Sequence, residues 1–216
     1  MPAPQLETEN CVAHNGSIVP VPGRDIFVQA WYQGGISVID FTDSSNPIEI
    51  AYFDRGPIME EEMITGGYWS TYYYEGTIYG TEITRGLDVL KLLPSEYLSE
   101  NEISAAELAY PLIGSSRLFN PQQQVPMTWP SNPVVARSYL DQLMRDKVLN
   151  EDTAKTILER LEQVNPALER GGNNRLARQL NSFKFPLDDF NSDSITYHRL
   201  KKLDLTLKNI AEDLVR

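Results

Sequence analysis

Few residues of this chain have the chemistry of a functional site, and His14 is the most prominent of them. It is one of two histidines in 216 residues, and it begins the turn-like triplet His14-Asn15-Gly16 ahead of a β-forming run. A neutral imidazole nitrogen can bind a metal ion, so His14 is a candidate metal ligand, although a hydrogen-bonded structural histidine fits the same pattern. One histidine does not make a site. The sequence therefore predicts no cofactor firmly and leaves a divalent metal as an alternative.

Aromatic and charged side chains form a second set of candidates. Aromatic rings can stack on sugars or peptides because they join a large apolar body to a polar tip, although packing between sheets needs the same residues. Glu82 and Arg85 flank a glycine turn, where they can bind a polar ligand or form a structural ion pair with each other. The candidate ligand-binding residues are His14, Asn15, Trp31, Tyr32, Trp69, Tyr72, Glu82 and Arg85.

Common active-site motifs are missing from the sequence. It contains no nucleophile elbow, P-loop, dinucleotide fingerprint or HExxH motif, so we predict no catalytic residue. The single cysteine, Cys11, excludes an internal disulfide and a cysteine-rich metal site. Asp40 and Asp88 lie near the ends of corresponding β-forming runs, and we predict that both cap turns through hydrogen bonds to the backbone.

Composition and charge restrict the class of partner. Hydrophobic residues make up 41% of the chain and charged residues 23%, as in ordinary globular proteins, and no apolar run approaches about 18 residues. The net charge of −11 disfavours nonspecific binding to nucleic acid and to anionic membranes, which need basic surface. We therefore expect a protein or a carbohydrate as partner, with no nucleic acid and no membrane insertion.

Two copies of one β pattern position the candidate residues, the first at residues 24–41 and the second at residues 76–92. Each copy reads as a meander of short strands with tight turns, and the period of about 51–52 residues is typical of propeller blades. The aligned pairs are Ile26 with Ile78 and, after a one-residue gap, Gly35 with Gly86 and Val38 with Val89. Repeats of this kind usually need about three or more neighbours for stability, so two copies are too few.

The pattern of apolar residues divides the chain into three segments. Residues 1–110 carry the β pattern, residues 111–132 have the Pro- and Gln-rich composition of a linker, and residues 133–216 show helical periodicity that begins at the N-cap pair Asn132-Pro133. The sequence therefore predicts a mainly β part with two propeller-like blades of antiparallel strands, an incomplete β-propeller, followed by a small all-α helical bundle. The unpaired edge of such a blade predicts self-association.

The β region resembles the LVIVD repeat family, which are β-propeller proteins of bacterial and archaeal cell surfaces. The resemblance covers about residues 11–98, and the segment Ala136-Arg-Ser-Tyr-Leu-Asp-Gln-Leu143 is similar to a helical segment that some of these proteins carry. The matching motifs are Ala13-His-Asn-Gly-Ser17, Gln29-Ala-Trp-Tyr-Gln-Gly-Gly35, Asp40-Phe-Thr-Asp43, Asn46-Pro47, Asp54-Arg-Gly-Pro57, Gly67-Tyr-Trp-Ser70 and Arg85-Gly-Leu-Asp-Val89. Members of the family carry several more repeats on the N-terminal side, so the resemblance implies a C-terminal fragment of such a protein.

Two functions are expected from the residues and the resemblance together. The first is a non-enzymatic scaffold, a secreted, periplasmic or cell-surface β-propeller that binds a protein or a carbohydrate. The extracytoplasmic setting is implied by the resemblance, which supplies no reaction. The alternative is a metal-dependent enzyme with a channel site that includes His14.

Overall fold

The computed structural model describes residues 5–112 and 125–216, so most of the predicted linker, residues 113–124, lies outside the described residues. The chain divides into two units. The first contains Met1–Leu98 and Ala106–Thr128, and the second contains Ser99–Ala105 and Trp129–Arg216. Antiparallel sheets form the first unit, and helices dominate the second, as the sequence predicts.

The first sheet is a four-stranded antiparallel meander in chain order. Each strand is short, rich in β-branched or aromatic residues and bounded by turn-forming residues such as Gly23 and Gly35, whose φ angles are 76° and 84°. Its strands are β1 (Gly16–Val19), β2 (Ile26–Ala30), β3 (Ile36–Asp40) and β4 (Ile48–Phe53). The meander confirms the predicted strands of the first copy.

The second sheet has three antiparallel strands, β5 (Tyr68–Tyr74), β6 (Thr77–Glu82) and β7 (Gly86–Leu90). Glu75 and Gly76 connect β5 to β6 with φ angles of 44° and 81°, and two successive positive φ angles are typical of a tight hairpin turn. A third sheet consists of the short strands β8 (Tyr110–Pro111) and β9 (Met127–Thr128). None of these sheets is closed within the described residues.

The two larger sheets pack closely against each other. The N–H of Tyr73 donates a hydrogen bond of 2.8 Å to Ser17 Oγ, which joins β5 to β1. Gly80 permits the approach, because a Cβ at this position would lie 2.9 Å from Ile36 Cδ1 and 2.9 Å from the ring of Tyr68. The residues that face this interface from the first sheet, including Val28 and Ile36, are buried, so the interface is the core of the first unit.

The pairing registers correct the predicted alignment of the two copies. Val28 pairs with Val38 in the first sheet, and Tyr79 pairs with Val89 in the second, so the two hairpins match without a gap. This register aligns Ile26 with Thr77, and the predicted match of Ile26 with Ile78 is wrong by one residue. The prediction matched apolar side chains by type, but a shift of one residue places a side chain on the opposite face of a strand.

The second unit is helical and is stabilised by local caps and an apolar core. Asn132, Asn150 and Ser194 accept hydrogen bonds from N–H groups in the first turns of three helices, and Pro133 occupies the first helical position as predicted. The helices of the described residues are α1 (Glu100–Glu107), whose last two residues belong to the first unit, α2 (Pro133–Arg145), α3 (Glu151–Leu161), α4 (Val164–Glu169), α5 (Asn174–Asn181) and α6 (Ile195–Asp213). No helix within the described ranges has both the length and the apolar character needed to cross a bilayer.

Candidate functional site

Three of the predicted binding residues meet in one cluster of rings on the first unit. The ring centroids of His14 and Trp69 are 4.1 Å apart, those of His14 and Tyr32 are 5.1 Å apart, and those of Tyr32 and Trp69 are 6.0 Å apart. We call His14, Tyr32 and Trp69 the ring cluster. The side chain of Trp69 remains 51% exposed, so the cluster presents an indole to solvent.

The ring cluster is assembled from both larger sheets. His14 precedes β1, and its N–H donates to the carbonyl oxygen of Ala30 at 2.9 Å. Tyr32 lies in the loop between β2 and β3 with a φ of 51°, a left-handed conformation that is unusual for a bulky residue. Its N–H donates to Tyr68 O at 3.2 Å and its carbonyl accepts from the Tyr68 N–H at 2.8 Å, which fixes Tyr32 beside Trp69.

Gly67 makes this contact between the two sheets possible. Its φ is 92°, and a Cβ at this position would lie 2.0 Å from the carbonyl carbon of Tyr32 and 2.1 Å from the nitrogen of Gln33. These are backbone atoms, which cannot move aside as a flexible side chain can. The position therefore requires glycine for both conformation and space.

The carboxylate of Glu82 binds backbone N–H groups of this chain and is not free to bind a ligand. Its carboxylate is buried and accepts hydrogen bonds from the N–H groups of Gly67 at 2.5 Å, Thr84 at 3.0 Å and Arg85. The guanidinium of Arg85 instead donates to the carbonyl oxygen of Pro57 at 3.1 Å. The predicted side-chain ion pair between Glu82 and Arg85 is thus wrong, because the carboxylate is directed into the turn.

His14 also contacts the backbone of Trp69. Its Nδ1 lies within hydrogen-bond distance of the carbonyl oxygen of Trp69. A carbonyl oxygen can only accept, so Nδ1 is the donor in this hydrogen bond and Nε2 is the nitrogen left for a metal ion. Within the described residues, no group of three or more His, Cys, Asp or Glu side chains is placed to hold a metal ion. Metal binding by His14 stays a prediction, and one ring nitrogen of His14 is the candidate ligand atom.

The remaining aromatic candidates are placed differently from the ring cluster. Asn15 Nδ2 donates to the hydroxyl of Tyr72 at 3.2 Å, and its Oδ1 accepts from the N–H of Gly16 at 2.7 Å, so this pair links β5 to the start of β1. Trp31 makes none of the three ring contacts. Its Nε1 is buried and has no hydrogen-bond partner among the described residues.

The sequence does not predict a partly buried side-chain network beside the interface. The hydroxyl of Tyr68 donates to Asp88, and Asp88 also forms an ion pair of 2.5 Å with Arg55. Burial, followed by the hydrogen bond and the charge of Asp88, raises the pKa of Tyr68 well above its ordinary value. The prediction that Asp88 caps a turn is wrong, because its carboxylate binds side chains across the sheets. Only the register of β6 with β7 brings it there.

Asp40 does cap a turn, as predicted, and has a second role. Its carboxylate accepts from the N–H of Thr42 at 2.9 Å and forms an ion pair of 2.5 Å with the buried Arg24. Burial alone would raise the pKa of Asp40, but the hydrogen bonds from Thr42 and Arg24 outweigh it and lower the pKa below its usual value.

The arrangement as a whole is suited to binding. An exposed indole is held by two further rings, whereas the charged candidates Glu82 and Arg85 are engaged with backbone groups. Rings that join an apolar face to polar edges are the surface on which sugars and peptides stack. The chain matches no protein-family model, and comparisons with curated proteins and with solved structures give no match.

Proposed function

We propose that the first unit is a non-enzymatic binding scaffold and that its ring cluster binds carbohydrate. The observation that supports this is the half-exposed indole of Trp69, held at 4.1 Å from the ring of His14. The C–H face of a sugar ring packs on an indole, and hydroxyl groups at its rim find the polar edges of His14 and Tyr32.

The roles of the charged candidates support a binding function over catalysis. A general acid or base must reach a proton on the substrate, but the carboxylate of Glu82 is buried and already accepts three backbone hydrogen bonds. Glu82 positions Gly67, and through Gly67 it positions Tyr32. It therefore acts on the binding site indirectly.

The larger context of the scaffold is also proposed. The two larger sheets are antiparallel meanders in chain order, which supports a pair of propeller blades of the LVIVD type. From the resemblance we also propose a secreted, periplasmic or cell-surface setting. The outer edge of β7 pairs with no strand among the described residues, which supports self-association at that edge.

A glycan array probed with the full chain tests the binding function. A glycan found on the array is then titrated against the native chain and the Trp69→Ala variant by calorimetry. We expect the variant to lose about tenfold or more in affinity, since removing one stacked ring costs on the order of 1.4 kcal/mol. The matched control is Tyr97→Ala, another exposed aromatic of the first unit outside the ring cluster, which should leave the affinity unchanged.

Two results would contradict this function. One is an array with no glycan bound by the native chain. The other is a glycan whose affinity is the same for the native chain and for Trp69→Ala. Capture of a purified protein partner that is lost in Trp69→Ala would instead assign the ring cluster to protein binding.

A further inference from the structure

Each of the two larger sheets has two faces. Backbone hydrogen bonds show which face of the first sheet corresponds to which face of the second. The N–H of Ala30 donates towards the β1 side, to Asn15 O at 2.9 Å, and the N–H of Ile83 donates towards the β5 side, to Gly67 O at 3.0 Å. In L-residues, the side on which a strand residue makes its hydrogen bonds determines the face to which its side chain points. Ala30 and Ile83 therefore lie on corresponding faces, which we call the front faces.

The registers extend this assignment to the other strands. Paired residues share a face, and so do alternate residues along a strand. The front face of the first sheet carries Val28, Ala30, Ile36 and Val38, and that of the second carries Tyr79, Thr81, Leu87 and Val89. The back face of the first sheet carries Ile18, Phe27, Ile39 and Tyr52, and that of the second carries Tyr73, Ile78, Gly80 and Leu90.

The contact between the two sheets joins a front face to a back face. Ile36, on the front of the first sheet, lies against Gly80, on the back of the second. The ring of Phe53, which pairs with Ile36, lies 6.3 Å from that of Tyr68, which shares the back face of the second sheet. The contact is therefore heterologous, and each sheet keeps one face for a further neighbour.

The apolar residues on the front face of the second sheet are exposed. Leu87 and Val89 are each 60% exposed, whereas the corresponding Ile36 and Val38 are 2% and 3% exposed. Contiguous exposed apolar residues of this kind mark an interaction surface.

The back face of the first sheet offers a matching surface. Ile18, Phe27 and Ile39 pair in one row across three strands and are only partly buried. Their counterparts on the second sheet are Tyr73, Ile78 and Leu90, which are also large and apolar. In the counterpart row Tyr73 and Ile78 are buried by the front face of the first sheet.

We propose that a second copy of this chain covers the front face of the second sheet with the back face of its first sheet. The proposal extends the contact already present between the two sheets and does not depend on the ligand of the ring cluster. Heterologous contacts close into rings when the rotation permits. Propellers hold about 4–8 sheets and each copy supplies two large ones, so we expect rings of about two to four copies.

Sedimentation velocity on the full chain tests the proposal. We expect the native chain to sediment as a discrete oligomer of about two to four chains, each of 24.5 kDa. Leu87→Asp should sediment as a monomer, because a carboxylate cannot be buried in this contact. The control is Leu205→Asp, a leucine of α6 that is 49% exposed, which adds the same charge and should leave the oligomer intact. Circular dichroism confirms that each variant is folded.

A mixing experiment separates this contact from pairing at the β7 edge. Tyr52→Asp alters the back face of the first sheet and should also be monomeric alone. In a mixture of the two variants, Tyr52→Asp supplies the intact front face of the second sheet and Leu87→Asp supplies the intact back face of the first sheet. The mixture should therefore form dimers that contain one chain of each variant. A monomeric native chain, an oligomer that survives Leu87→Asp, or a mixture that stays monomeric would each overturn the proposal.

Discussion

The carboxylate of Glu82 accepts a hydrogen bond of 2.5 Å from the N–H of Gly67 and thereby connects β6 to the segment that carries Trp69. The same carboxylate accepts from Thr84 and Arg85, so one buried side chain satisfies three backbone donors. A buried donor without an acceptor costs about 1–3 kcal/mol. Glu82 is therefore a positioning residue for the site as well as a source of stability.

Replacement of Glu82 should destabilise the first unit. We expect Glu82→Ala to lower the free energy of unfolding by about 1–3 kcal/mol, because the buried N–H of Gly67 loses its acceptor, whereas Thr84 and Arg85 are exposed and can bind water instead. Glu82→Gln should lose less, since its amide oxygen can still accept. Urea unfolding followed by tryptophan fluorescence measures both variants, with Glu61→Ala, an exposed glutamate, as control. A loss of under about 0.5 kcal/mol in Glu82→Ala would refute this role.

Alanine substitutions at two glycines with similar φ angles can separate the cost of steric crowding from the cost of backbone strain. Gly67 and Gly86 have φ angles of 92° and 95°, but a Cβ at Gly67 would lie 2.0 Å from Tyr32 backbone, and a Cβ at Gly86 would meet nothing within 4 Å. We expect Gly86→Ala to cost about 1–2 kcal/mol of unfolding free energy from strain alone. Gly67→Ala should cost clearly more and should shift the fluorescence of Trp69, because Tyr32 must move. Equal losses in the two variants would show that the approach of the two sheets is not tight.

Features with local causes could be predicted from the sequence, and features that depend on register could not. The strands around Gly35 and Gly86 and the N-cap at Asn132 follow from turn chemistry and capping, which act over a few residues. Residue type marks His14 and Trp69 as candidates, but their contact depends on the packing of two sheets.

The missed network shows the same limit. Asp88 binds Tyr68 and Arg55, which lie 20 and 33 residues away along the chain. No local pattern marks such partners. Side chains alternate between the two faces along β7, so Asp88 points to the buried side while Leu87 and Val89 point to solvent. The pairing of β6 with β7, which places Asp88 beside these partners, is not indicated by the local pattern around Asp88.

The ion pair of Asp40 with Arg24 should make stability depend on pH in the acid range. Because the pKa of Asp40 is lowered in the folded chain, its contribution is complete above the unfolded pKa of about 3.9 and is lost as pH falls through the folded value. Asp40→Asn should be less stable than the native chain by about 2 kcal/mol near neutral pH, because Arg24 stays buried without its carboxylate. Urea unfolding from neutral pH down to below the folded pKa should show this difference shrinking. A difference that stays constant through that range would contradict the lowered pKa.

His14 can be tested for both of its candidate roles in one pair of variants. If its role is structural, His14→Ala loses two ring contacts and a hydrogen bond to Trp69 O, and we expect a loss of about 1–2 kcal/mol of unfolding free energy with no change in bound metal. His198→Ala, which removes the other, exposed histidine, should change neither quantity. Elemental analysis and urea unfolding of the full chain measure them. Metal that binds the native chain and is lost only in His14→Ala would show that His14 is a ligand, and would favour the metal-dependent alternative over the scaffold. An unchanged metal content with lowered stability would assign His14 to holding the indole of Trp69 in place.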